Sequence, residues 1–139
     1  MDLMLDAAAL NAIMVKEFPQ VAEDYIVEHV EPMQVTVRLP VAERHLRPGG
    51  TISGPTMFSL ADVSIYLATM AMIGPVTLAV TTNCSIDFMR KPKAGVDLIA
   101  QARLLKLGKL LAVGDVLIHS EGMQAPVARA SLTYAIPPR

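Results

Sequence analysis

The 139-residue chain has no tryptophan, three histidines and a single cysteine. Cys84 on its own excludes an internal disulfide and has no Cys or His neighbour at zinc-ligand spacing, so a reducing cytoplasm is the expected location and no metal is expected. An excess of either charge is missing too. Twelve Lys and Arg against thirteen Asp and Glu leave a net charge of −1, which gives no general attraction to nucleic acid or to anionic membranes. The opening ten residues carry Asp2 and Asp6 where a secretory signal carries Lys or Arg, which argues against export. There is no internal repeat and no low-complexity segment.

What the chain does have is apolar content: 53% hydrophobic residues, with a mean hydropathy of +0.43. Its length suits one domain over residues 1–139. So much apolar surface must be buried in a large core or against a second copy, and an oligomer, a dimer or tetramer, is expected. Residues 55–73 are apolar nearly throughout and as a helix would run about 28 Å, close to a membrane span. Ser59, Asp62, Ser64, Tyr66 and Thr69 interrupt the run, and a carboxylate near the middle of a lone membrane helix is costly. The reading is therefore a helix surrounded by other elements of a soluble protein, with no membrane partner.

Periodicity supplies the remaining elements. Leu3, Leu5, Ala9, Leu10, Ile13 and Met14 fall at loosely helical spacing over 3–16, ahead of Pro19. Met33, Val35, Val37 and Leu39 alternate with polar residues as in a half-buried strand, with 25–30 as its hairpin partner. Ser53 or Gly54 caps the long helix, Pro55 suits its first turn and Gly74-Pro75 stops it. Turn signals then divide the rest into strands over about 77–90, 96–107, 109–120 and 125–136. Short connections predict an antiparallel meander, and a buried helix with such a sheet predicts an α+β architecture.

Two features carry chemistry. Ser59, Asp62, Tyr66 and Thr69 fall on one stripe of the long helix, which is a functional face, a buried carboxylate satisfied by neighbouring hydroxyls, or a stripe at a subunit seam. Two turns earlier, the helix start at Gly54-Pro55 leaves free N–H groups that can stabilise an oxyanion; Pro55 donates nothing, so the donor is Gly54, with Thr56 behind it. His29, His45 and His119 are scattered and show no metal spacing.

The segment Ser53-Gly54-Pro55-Thr56-Met57-Phe58-Ser59-Leu60-Ala61-Asp62, with Asn83-Cys84-Ser85-Ile86-Asp87-Phe88-Met89-Arg90-Lys91-Pro92 downstream, resembles the hotdog-fold thioesterases of the phenylacetate-degradation (PaaI-like) group. That group commonly carries His-Gly-Gly ahead of Leu-Ala-Asp, with the same eight-residue step from glycine to carboxylate as between Gly54 and Asp62. The resemblance implies a long central helix wrapped by a curved antiparallel sheet, behind a short N-terminal helix. It also implies paired protomers with active sites between them, and hydrolysis of an acyl-CoA or aryl-acyl-CoA thioester with Asp62 as nucleophile or general base and the Gly54 N–H on the oxyanion. Coenzyme A would be substrate rather than cofactor, and no cofactor is expected. Arg90, Lys91 and Lys93, with Lys109 at a further turn, are candidates for its phosphates. Ser53, Thr56, Tyr66 and Asn83 complete the candidate substrate-binding set, and Met57, Phe58, Met70 and Met72 are candidates for the acyl pocket. The chain departs from the group in reading Ser53-Gly54-Pro55 for His-Gly-Gly and in having Arg47 or Pro48 where an Asn often stands. A non-catalytic acyl-CoA-binding protein on the same scaffold is the alternative. A hydratase is disfavoured because no His occurs between His45 and His119.

Overall fold

The computed structural model describes residues 2–138. The N-terminal helix α1 (Ala7–Glu17) starts where Asp6 accepts a hydrogen bond from the Ala9 N–H at 2.9 Å. Strands β1 (Ile26–Glu31) and β2 (Gln34–Leu39) form a hairpin, and Met33 takes φ +67° at its turn. The long helix α2 (Gly54–Ile73) is capped by Ser53 and ends at Gly74, whose φ of +99° is a conformation that glycine adopts without strain. Four strands follow: β3 (Val80–Phe88), β4 (Leu98–Leu107), β5 (Leu111–Ser120) and β6 (Ala128–Ala135). Each expected element is present, with ends shifted by a few residues.

The connectivity differs from the expected meander. The six strands form one antiparallel sheet in the order β1-β2-β4-β5-β6-β3, so in the set of four strands after α2 the last three, β4, β5 and β6, follow one another as neighbours and β3 does not. Strand β3 pairs with β6, from Phe88 opposite Ala128 to Val80 opposite Ala135, and lies at the edge rather than beside β4. The 89–97 connection starts and finishes at the same end of the sheet and passes β6 and β5 to reach β4, whose other flank is taken by the hairpin β1-β2. Irregular register at Val27/His29, Thr81/Asn83 and Leu104/Lys106 bends the strands, and the sheet curves round α2.

Helix α2 is long and apolar enough to cross a membrane by length and composition, but 67% of its most apolar window is buried, as befits the core helix of this fold. Leu60, Ile65, Leu67 and Met70 are fully enclosed, facing Val35, Val37, Leu98, Ile118 and Leu132 of the sheet. Its buried hydroxyls are satisfied within the helix, Ser64 donating to the Leu60 carbonyl at 2.7 Å and Thr69 to that of Ile65 at 2.8 Å. Gly114 sets how closely helix and sheet approach. A Cβ there would lie 2.6 Å from both the Arg103 carbonyl oxygen and the Ile65 Cδ1 atom. Gly114→Ala is therefore expected to destabilise the protein by about 1–3 kcal/mol, the usual cost of overpacking a closed core, as read by denaturant unfolding; an unchanged midpoint would mean that the helix is free to move away.

Candidate active site

Helix α2 carries the two principal candidates at different depths. Gly54 is its first residue, and eight residues at 1.5 Å each place Asp62 about 12 Å further along the axis. Ser53 holds the helix start: its Oγ accepts from the Thr56 N–H at 3.3 Å and lies 2.8 Å from Thr56 Oγ1, which in turn lies 3.4 Å from the His45 carbonyl oxygen. These hydroxyls fix the first turn, and the Gly54 N–H is left without an acceptor among the described residues. Phe88 packs over this turn, so close that a Cβ on residue 54 would sit 3.4 Å from the Phe88 ring.

His45 belongs to the same support. It is buried, its Nδ1 accepts from the Ala42 N–H at 2.9 Å, and its carbonyl oxygen accepts from the Ser53 N–H at 2.9 Å. Its Nε2 stands 3.0 Å from Asp24 Oδ1.

Asp62 is half-buried and held through one oxygen. Its Oδ1 accepts from the Thr81 hydroxyl at 2.5 Å and from the Tyr134 hydroxyl at 2.8 Å, the latter also lying 2.9 Å from the Asp62 carbonyl oxygen. Oδ2 has no protein donor among the described residues and remains open to a ligand or water. Burial pushes the Tyr134 phenol far above its usual range; the Thr81 hydroxyl pulls the other way, and the neighbouring Asp62 charge adds to the rise. Tyr134 is thus a permanent donor at neutral pH. Burial, then the Asp62 charge, also raises the Cys84 thiol, which argues against a thiolate nucleophile there.

Gly54 and Asp62 open on separate cavities. The Gly54 cavity, about 410 Å³, is bordered by Arg47, Arg90 and Lys91 together with Met57 and Phe88. The Asp62 cavity, about 480 Å³, has Asp62 as its sole charged lining residue, beside Ser59, Tyr66, Thr81 and Tyr134. Of the helical stripe expected from the sequence, Ser59, Asp62 and Tyr66 reach this cavity, while Thr69 is sealed in the core. The Tyr66 ring reaches it, but the hydroxyl donates to the Thr77 carbonyl at 2.9 Å, and burial with the Glu17 charge pushes its pKa up to about 12.

The other candidates are dispersed. Arg90 is exposed and donates to the Pro126 carbonyl oxygen at 2.5 Å. Lys93 is exposed but lines neither cavity, and Asn83 projects from the edge strand β3, opposite Thr133. Lys109 sits in the β4–β5 turn, at the end of the sheet opposite Arg90, so one protomer does not gather the basic residues into a single patch. Among the acyl-pocket candidates, Phe58 lines the Asp62 cavity and Met57 the Gly54 cavity, whereas Met70 and Met72 are core residues. Thr81 and Tyr134 escaped the sequence reading. Each is an inconspicuous member of a strand, brought to Asp62 only by the pairing of β3 with β6.

The sequence profile of the thioesterase superfamily matches residues 49–127, the stretch holding Gly54, Asp62 and Arg90. A candidate esterase of Pseudomonas aeruginosa is 32% identical over 104 residues, 75% of this chain and 76% of that one. Among solved structures, a candidate thioesterase from Silicibacter sp. TM1040 is 56% identical with a TM-score of 0.92, covering 99% of this chain and 96% of its own. The PaaI protein of the Escherichia coli phenylacetic acid degradation operon is 25% identical with a TM-score of 0.80, covering 94% and 93%. With its helix-in-sheet architecture and matched core segment, the chain belongs to the thioesterase superfamily, as a PaaI-like hotdog-fold member.

Proposed function

We propose that this protein is a cytoplasmic acyl-CoA thioesterase that works as a homodimer or dimer of dimers, hydrolysing an acyl-CoA or aryl-acyl-CoA to the free acid and coenzyme A. The observation that carries the reading is the separation of Gly54 from Asp62. Lying about 12 Å apart on one helix and facing different cavities, they cannot both address one carbonyl within a protomer. Gly54 of one protomer and Asp62 of another can. The edge strand β3 supports such pairing: its outer rim is unpaired among the described residues, and Val80 and Phe88 at its ends, with Leu78 and Met89 just beyond them, are 57%, 52%, 78% and 42% exposed.

In this reading the thioester carbonyl oxygen takes the Gly54 N–H, reinforced by the helix dipole. Asp62 Oδ2 faces the carbonyl carbon and either attacks it, giving a mixed anhydride that water then opens, or removes a proton from the attacking water. Both routes add one water across the C–S bond and release a thiolate, a leaving group good enough to need no strong general acid. No cofactor is called on. Arg47, Arg90 and Lys91 border the Gly54 cavity and suit the phosphates of coenzyme A. Lys93, Lys109 and Asn83 join the binding set only if a second protomer brings them near.

Two substitutions test the role of Asp62. Asp62→Asn keeps the shape but loses nucleophile and base, so kcat for acyl-CoA hydrolysis is expected to fall by about 10²–10⁴-fold or more with the melting temperature little changed. A folded variant with undiminished turnover would remove Asp62 from the chemistry. Tyr134→Phe deletes only a donor to Oδ1 and is expected to lower kcat by about tenfold, a loss of alignment worth roughly 1.4 kcal/mol, with KM nearly constant. A change confined to KM would assign Tyr134 to binding instead.

A further inference from the structure

The cavity beside Asp62 has a wall that lies outside the matched family segment. Helix α1 contributes Met14, its C-cap contributes Phe18 and the turn that follows contributes Val21, so three apolar residues from the first 21 face the same space as Asp62. The wall is anchored. The Asn11 side chain bonds both main-chain groups of Val27, at 2.8 and 3.0 Å, and the Met4 and Leu5 N–H groups both reach the Ala71 carbonyl at the end of α2, at 2.8 and 3.2 Å. Leu10 is buried beneath it, and Met14 is the most enclosed member of the wall itself. Phe18 sits at the rim, 37% exposed, with its ring edge-on to Tyr66 at a centroid distance of 5.7 Å.

The two cavities differ in charge, and that difference fixes which end of the substrate each takes. The Gly54 cavity is bordered by three cationic side chains and fits an anionic, phosphate-bearing group. The Asp62 cavity offers apolar and phenolic walls with one carboxylate, which suits an uncharged apolar group and repels an anionic one. At about 480 Å³ it is far larger than an acetyl group requires.

We infer that Met14, Phe18 and Val21 form the acyl-selecting wall of the site, and that Phe18 is its specificity-determining residue, favouring apolar acyl groups of several carbons over acetyl. This rests on the thioesterase reading above. Selection follows from area: each added methylene that the wall removes from water contributes to binding, whereas acetyl ends near the carboxylate and does not reach Phe18.

The test separates binding from turnover by using two ketone analogues that cannot be hydrolysed, 2-oxopropyl-CoA in place of acetyl-CoA and 2-oxoheptyl-CoA in place of hexanoyl-CoA. Calorimetric Kd values for the full-length protein are expected to favour the longer analogue by about tenfold or more. Phe18→Ala should remove most of that preference, and Phe18→Leu should retain most of it. Val21→Ser, at the other side of the wall, should also reduce it. Absence of a chain-length preference in the native protein, a preference that both Phe18→Ala and Val21→Ser leave intact, or equal weakening of both analogues would overturn the inference. A clear preference in a protein that does not turn over hexanoyl-CoA would uphold the wall while removing the hydrolase reading.

Discussion

A carboxylate on a helix otherwise enclosed by apolar side chains has to be compensated, because leaving a charge half-buried without donors costs several kcal/mol. Here the compensation comes from two hydroxyls, Thr81 on β3 and Tyr134 on β6, that meet on one oxygen of Asp62. Much of the arrangement depends on that meeting. Strand β3 must lie next to β6 for both hydroxyls to arrive together, and α2 must seat deeply on the sheet, which the absence of a side chain at Gly114 allows. The second carboxylate oxygen is then free and fixed in direction.

The helix start is built by a parallel device. Ser53, Thr56 and His45 hold one another so that the first turn of α2 is rigid while the Gly54 N–H stays open. The same helix thus presents an open N–H at its end and a carboxylate two turns in, each supported by neutral hydrogen-bonding groups. The distance between them is the reason for the two-protomer site proposed above. It also divides the ligand's chemistry, with cationic side chains around the glycine and aromatic and aliphatic ones around the carboxylate.

Much of this was legible in the sequence, for reasons that are local. The apolar run from Met57 to Ile73, with Ser53 and Pro55 before it and Gly74 after it, specifies a capped buried helix, and the alternation in residues 98–104 specifies a half-buried strand. The eight-residue step from Gly54 to Asp62 is equally a property of adjacent sequence. Strand order is not, since period-two alternation names a face and not a neighbour; hence the meander was expected where β3 lies beyond β6. The same limit hid Thr81 and Tyr134, whose partner Asp62 is 19 and 72 residues away. It also left Met70 and Met72 as candidates for the acyl pocket, because helical composition alone does not say which side of the core a residue reaches.

The central claim is that one protomer supplies the oxyanion donor and another the carboxylate. It is tested most directly by combining two variants that are each inactive: Asp62→Asn, and Gly54→Val, whose side chain would press on Phe88 and screen the helix start. Co-expressed or refolded together in equal amounts, they form mixed dimers with one of two sites intact. Acyl-CoA hydrolysis should then return to about a quarter of the native rate, as random pairing in a two-fold dimer requires. A mixture as inactive as its parts, with mixed dimers shown to be present by mass, would contradict the account and place both groups in the service of a single chain.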